Sequence, residues 1–237
     1  MQKVIIIGAT SGIGRELARL YARAGSMVGV TGRRQELLDS LQLEYPHAIV
    51  PECFDVRGND NIVHVKALIE KLGGLDLLLY NSGYGEPSET LDWEIDQRTT
   101  EINVKGFIEI VNFGFRYFVA QGHGHLATTS SIASIRGNSQ APAYSASKAF
   151  QSIYFEGLHM KAKKMKIPLY VTDIQPGFVD TKMAKGTRFW VAPVPKAAGQ
   201  IFKALEKKKG RVYITHRWWL VAKLFKWLPD LIYHRIG

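Results

Sequence analysis

The sequence predicts a doubly wound α/β fold, one domain with a parallel sheet of about seven strands and helices on both faces. Three observations carry this. Residues 3–7, KVIII, are a short apolar, β-branched run, as a strand buried on both faces requires. They lead into GATSGIG at 8–14 and then RELARLYARAG, which has helical periodicity and closes on Gly25. Strand-like and helical runs then alternate through residue 83, the order of a right-handed parallel sheet.

The elements follow in turn. In the glycine loop, Gly8 permits a tight turn, Gly12 lets the backbone approach a pyrophosphate and Gly14 allows close helix packing. The helix behind it offers free N–H groups and a positive dipole end to phosphates. SMVGVTG at 26–32 reads as a second strand and RRQELLDSLQLEY as its helix. An acidic residue at the end of that strand would hold the ribose hydroxyls of NAD, but Gly32 stands there, followed by Arg33 and Arg34. Two solvated arginines at a helix start would oppose the dipole. A 2′-phosphate suits their planar forks better, so NADP(H) is preferred over NAD(H).

AIVPECFDV at 48–56 is a third strand, whose end at Asp55 and Val56 is placed to touch adenine, and residues 59–72 read as helix. LDLLLYNSG at 75–83 is a fourth strand ending in Asn81, Ser82 and Gly83, small enough for a ribose to lie close. One long helical region is expected from Trp93 to Ala120, with Asn103 inside it as a kink, a surface position or a site residue. GHLATTSS at 124–131 makes a fifth strand and delivers Ser131 to the same sheet edge. IPLYVTDIQPGFVDT at 167–181 supplies a sixth strand and a Pro-Gly turn, and RVYIT at 211–215 a seventh.

Between the fifth and sixth strands lies SIASIRGNSQAPAYSASK, 131–148, where the chemistry concentrates. Pro142 fits the first turn of a helix, which sets Tyr144 and Lys148 four apart on one face. A free tyrosine titrates near pH ~10 and is a poor base at neutrality. An adjacent ammonium favours the phenolate, which would let Tyr144 exchange a proton with a hydroxyl or carbonyl oxygen. Ser131 can offer a second hydroxyl to that oxygen. A Tyr and a Lys at this spacing occur by chance on many solvated helix faces, so the glycine loop in front of them decides the reading.

At 237 residues, 46% hydrophobic and 22% charged, the chain has the composition of one globular domain with a substantial core. The single Cys53 allows no disulfide framework within one chain and suits a reducing compartment. No secretory signal or membrane span is expected, and the cytoplasm is the expected location. The net charge of +10 is uneven, with nine basic against two acidic residues from Lys203 to Arg235. The run KKKGR within it carries no nucleic-acid recognition motif, so no nucleic-acid partner is expected.

GATSGIG at 8–14, NSG at 81–83, Asn103, Ser131, YSASK at 144–148 and PGFVDT at 176–181 together resemble the short-chain dehydrogenase/reductase family. The resemblance covers about residues 3–185 and is to its short, single-domain, Rossmann-type branch. It implies an oxidoreductase acting on a small-molecule carbonyl/alcohol pair, with Tyr144 as general acid/base. It also implies that Lys148 binds nicotinamide-ribose hydroxyls and lowers the tyrosine pKa, that Ser131 orients the substrate oxygen, and that Asn103 holds a water beside the lysine. The implied cofactor cradle comprises Gly8, Thr10, Ser11, Gly12, Ile13, Gly14, Arg33, Arg34, Asp55, Val56, Asn81, Ser82, Gly83, Tyr144, Lys148, Pro176, Gly177, Val179 and Thr181. Asn81 would also steady the central strands. The Asn81-Ser82-Gly83 sequence departs slightly from the family's more common Asn-Ala-Gly. No metal is called for, and a homodimer or homotetramer is expected through the Asn103 and Tyr144 helices. A dinucleotide-sensing protein without turnover would have no need of Asn103, Ser131, Tyr144 and Lys148 together; an epimerase or dehydratase of the wider family would share the Tyr–Lys pair.

The segment at about 182–195, KMAKGTRFWVAPVP from Lys182, is expected to be a lid over the substrate. Met183, Phe189 and Trp190, with Tyr84 and Phe178, are the candidate apolar lining beside Ser131 and Tyr144. A basic amphipathic tail at about 216–237 follows. At helical spacing Trp218, Val221, Phe225 and Leu228 share a broad face with Leu220 and Leu224, while Lys223, Lys226 and His216 lie opposite. Packing onto the body or a neighbouring subunit is the expectation for that face. Peripheral contact with an anionic membrane is the alternative.

Overall fold

A computed structural model of the chain describes residues 1–181 and 190–234. Seven parallel strands form one sheet in the order β3-β2-β1-β4-β5-β6-β7. They are β1 (Lys3–Ile7), β2 (Met27–Gly32), β3 (Ile49–Cys53), β4 (Leu77–Tyr80), β5 (Gly124–Thr129), β6 (Leu169–Pro176) and β7 (Arg211–Ile214). Helices α1 (Gly12–Arg23), α2 (Gln35–Glu44) and α7 (Val194–Glu206) pack on one face over Val4, Ile6, Val28, Leu77 and Ile174. Helices α3 (Asn61–Leu72), α5 (Phe107–Gln121) and α6 (Pro142–Lys164) cover the other over Ile5, Ile7, Leu78, Tyr80 and Leu126. The apolar runs of the central strands reflect this double burial: Ile5 faces one core and Ile6 the other, and neither touches solvent.

Strand order reverses between β1 and β4, whose register runs from Val4 opposite Leu77 to Ile7 opposite Tyr80. At such a switch point the loops leaving the two strands diverge to opposite faces and open a crevice at their carboxyl ends. Asn81 closes the crevice floor, donating from Nδ2 to the Gly8 carbonyl at 2.8 Å and accepting from the Thr129 hydroxyl at 3.0 Å. The loops after β1, β4 and β5 are thereby tied together.

The expected single helix from Trp93 to Ala120 is three pieces: α4 (Trp93–Thr100), a π-helical turn at Glu101–Gly106, and α5. The wider turn falls where Gly106 passes against the Val56 carbonyl, too close for any Cβ. Asn103 lies inside this turn, fully buried, so it is not a surface position. Such π turns loosen backbone carbonyls from the helical ladder and free them for other partners.

Two further helices follow β7 among the described residues, α8 (Trp218–Trp227) and α9 (Asp230–Tyr233). The tail packs on the body through Trp218 and Ala222, both buried, with Val221 and Phe225 half-buried beside them. Leu220 and Leu224, expected on the same face, are instead exposed. The rotation of α8 is set by Trp218, whose indole lies directly on Gly177 and meets the Phe178 ring edge-on at 5.3 Å. No helix among the described residues is long and apolar enough to cross a membrane.

Gly14 gives the fold a direct test, because a Cβ there would overlap the Gly8 carbonyl and the Asn81 amide. Gly14→Ala is expected to lower stability by about 1–3 kcal/mol, read as a lower urea midpoint at unchanged slope.

Candidate active site

A cavity of about 940 Å³ opens along the carboxyl ends of β1, β2, β4, β5 and β6, within the range of small-molecule and cofactor sites. One end is built for an anion. Gly8, Thr10, Ser11, Gly12 and Ile13 line it, and α1 begins there with no acidic residue in its first turn. Its N–H groups and positive dipole end therefore face the cavity uncompensated. Gly14 is buried behind the loop, where its missing side chain lets the helix close on β1.

At the end of β2, Arg33 and Arg34 line the same region. Arg34 donates to the hydroxyls of Thr10 and Ser11, at 3.0 Å for the latter. Arg33 lies 3.6 Å from the Asp55 carboxylate and is half exposed. Burial pushes the Asp55 carboxyl up, but hydrogen bonds from the Arg57 side chain and backbone, with the Arg33 charge, hold it below the usual carboxylate range. Gly32 has no room for a side chain, since a Cβ would overlap the Thr10 methyl group.

The other part of the cavity brings together Ser131, Tyr144 and Lys148. Ser131 leaves β5 and Tyr144 sits in the first turn of α6, which opens on Pro142 because proline needs no donor there. The two hydroxyls are hydrogen-bonded. Gly85 packs flat on the Tyr144 ring, leaving no space for a Cβ. Lys148 lies one turn on, buried, and donates from Nζ to the Thr129 carbonyl and to Gln151 Oε1, both at 2.9 Å. Gln151 in turn donates to the backbone carbonyl of Asn103 at 2.9 Å, a carbonyl within the π-helical turn. The Asn103 side chain points elsewhere, bonding the Tyr84 backbone on both sides and Ser147.

Electrostatics here differ from the simple expectation that Lys148 lowers the Tyr144 pKa. Burial raises the tyrosine pKa, and the Ser131 hydrogen bond only partly offsets this. Burial also lowers Lys148 from 10.5 to about 7, opposed by the Asp173 carboxylate. Desolvation acts on both groups against their charged forms and outweighs the opposing contributions of Ser131 and Asp173. Asp173 lies on β6 and is held by Ser130, Ser152, Gln175 and Arg211. Neither it nor Gln151 is singled out by sequence reasoning. An acid inside the apolar run of β6 and a glutamine one turn after the lysine are the signals that could have found them.

Of the remaining candidates, Val56, Asn81, Ser82, Gly83, Pro176, Gly177, Val179 and Thr181 line the cavity, as does Phe178. Tyr84 does not: it packs partly buried against the core beneath α3, α5 and α6, with its ring under the Arg98 guanidinium at 5.2 Å, while Asn103 holds its backbone. Trp190 is also absent from the lining and meets Trp218 edge-on at 6.2 Å. Met183 and Phe189 lie outside the described residues, as does most of the expected lid. Among the described residues the apolar wall includes, with Phe178, four residues of the tail: Trp218, Val221, Phe225 and Tyr233. Three of these four belong to the apolar helical face legible in the sequence, but its place over the cavity is a tertiary fact.

A glycine-lined anion cradle beside a hydroxyl pair and a buried lysine, at the switch point of a doubly wound sheet, defines a dinucleotide-type oxidoreductase site. The chain belongs to the short chain dehydrogenase family, whose sequence profile matches residues 2–192. It is 35% identical over 197 residues to an uncharacterized oxidoreductase of Myxococcus xanthus, covering 81% of this chain and 76% of that one. Its fold is similar to that of a 3-ketoacyl-(acyl-carrier-protein) reductase from Brucella melitensis complexed with NADH, with a TM-score of 0.82, 19% identity and coverage of 90% and 96% of the two chains. A short-chain dehydrogenase from Sphingobium yanoikuyae in complex with NADPH is equally similar, with a TM-score of 0.82, 20% identity and coverage of 94% and 93%.

The buried lysine makes stability depend on pH. Its folded pKa of about 7 lies below the unfolded value of 10.5, so the unfolded chain binds the extra proton between the two. The cofactor-free protein is therefore expected to gain stability as pH rises through that window. Lys148→Met should flatten the gain in urea titrations across it, and an unchanged slope would contradict the buried placement.

Proposed function

We propose that the protein is an NADP(H)-dependent reductase of an apolar carbonyl compound, and the reverse dehydrogenase of its alcohol, with Tyr144 as general acid/base. The observation that carries this is the convergence of Ser131, Tyr144 and Lys148 on the cavity that also holds the glycine loop and the bare N-terminus of α1. The residues fit a dinucleotide. Gly12, at φ +58°, brings the backbone beside Thr181, and the first turn of α1 leaves its N–H groups for a pyrophosphate. A bound nicotinamide supplies the hydride to the carbonyl carbon, or takes it from the alcohol.

Tyr144 gives its phenolic proton to the substrate oxygen in reduction and recovers one from the alcohol in oxidation. Ser131 donates a hydrogen bond to that oxygen and, turned to Tyr144, steadies the phenolate left behind. A Lys148 pKa of about 7 lets this group gain or release a proton at neutrality, close behind the phenol. Gln151 and the Asn103 carbonyl hold it in place. Both NADH and NADPH occur among proteins of this fold, so the end of β2 decides between them. Gly32 excludes the acid that would hold a 2′-hydroxyl, Asp55 is already neutralised by Arg57, and Arg33 and Arg34 can fork onto a 2′-phosphate. An apolar substrate is supported by Phe178, Trp218, Val221 and Phe225 along the wall.

The cytoplasm, where NADPH is kept reduced, is the compartment this reading assigns. Exposed Ile153 and Met160 on α6 support self-association as a dimer or tetramer through that helix.

Tyr144→Phe is expected to cut NADPH oxidation roughly 10²–10⁴-fold at little change in NADPH affinity. Across ketones graded in chain length the wild-type rate should climb with length, and a preference for small charged substrates would contradict the apolar assignment. Arg33→Ala should weaken NADPH by about tenfold or more while leaving NADH nearly unchanged, measured by quenching of intrinsic fluorescence.

A further inference from the structure

The side of α8 and α9 that faces away from the cavity is apolar and exposed. Trp219, Leu220, Leu224, Trp227, Leu231 and Ile232 are all exposed there, Trp227 by 81% and Leu231 by 74%. Soluble monomers rarely leave such residues contiguous without a partner. Lys223 and Lys226 stand among them, with Arg217 at the start of the helix, and the Lys223 ammonium lies 4.2 Å over the Trp219 ring. Asp230 is the single carboxylate among the described residues of these two helices, and Arg136 binds it at 2.6 Å. The face is thus apolar and cationic with no acid left to balance it.

That charge pattern selects the partner. A second copy docked by the same face would set lysines against lysines with no carboxylate opposite. A phosphate-bearing lipid surface supplies the missing anions, and tryptophans mixed with lysines suit the boundary between headgroups and acyl chains. No helix among the described residues is long and apolar enough to cross a membrane, so the contact proposed lies along the surface. The helices are held firmly enough to present it. Arg136 donates to the Leu228 carbonyl at 3.0 Å and stacks on Tyr233 at 4.2 Å, while the Tyr233 hydroxyl donates to the Gly137 carbonyl at 2.6 Å.

We propose that the outer face of α8 and α9 docks on an anionic lipid bilayer, so that the cavity wall formed by their inner face stands at the membrane and an apolar substrate enters from the lipid. The docking stands on the surface alone; only the entry of substrate rests on the reductase reading.

Full-length protein is pelleted with phosphatidylcholine vesicles and with vesicles also containing phosphatidylglycerol. Wild type and Tyr144→Phe should both pellet, with the anionic vesicles only. A Lys223→Glu, Lys226→Glu double variant should lose roughly tenfold or more of its partitioning, and Trp227→Ser with Leu231→Ser should lose as much, at unchanged melting temperatures. Equal pelleting of wild type and variants, or none with either vesicle, overturns the docking. So does a lipid-independent dimer in sedimentation velocity that these substitutions split, which would give the face to a second copy. Substrate entry predicts that the lysine variant is slower on a long-chain ketone carried in anionic vesicles but not on a water-soluble one; equal rates on both overturn it. A protein that oxidises no NADPH with any ketone would refute the reductase reading and leave the pelleting result standing.

Discussion

Burying the amine of Lys148 is the constraint on which the site depends. An ammonium taken out of water needs hydrogen-bond partners, and the fold supplies the Thr129 carbonyl and the Gln151 side chain. Each partner has its own requirement. Thr129 ends β5, held in register by β4 and β6, and Gln151 is anchored on a carbonyl that the π-helical turn leaves available. The Asp173 carboxylate then opposes desolvation enough to keep the lysine titrating near neutrality. Sheet register, helix irregularity and buried charge all serve one amine.

Close approaches without side chains are the second theme. Gly8 against Ser82, Gly14 against Gly8 and Asn81, Gly85 against Tyr144 and Gly177 against Trp218 bring separate loops to contact distances that no other residue permits. The crevice is therefore a set of interlocked loops at one sheet edge. A change in any of them moves the cradle, the phenol or the apolar wall together.

The tail completes the cavity. Trp218 caps the Pro-Gly turn after β6 and directs the inner face of α8 into the cavity, while Arg136, five residues beyond Ser131, clasps the far end of the same helix. The apolar wall of the cavity thus belongs to the part of the chain that carries most of its basic charge, beyond the residues matched by the family profile.

By itself the sequence determined the sheet, the glycine loop and the Tyr144–Lys148 pair, because periodicity, proline placement and glycine spacing are local properties of the chain. It also determined that α8 has an apolar side. Tertiary structure alone decided which side that was: Leu220 and Leu224 face outward because Trp218 is drawn onto Gly177, a contact between segments far apart in the chain. It alone packed Tyr84 against the core and recruited Gln151 and Asp173 beneath the lysine. The sign of the Tyr144 shift was likewise invisible in a spacing of four, since helical neighbours report attraction but not the desolvation that accompanies burial.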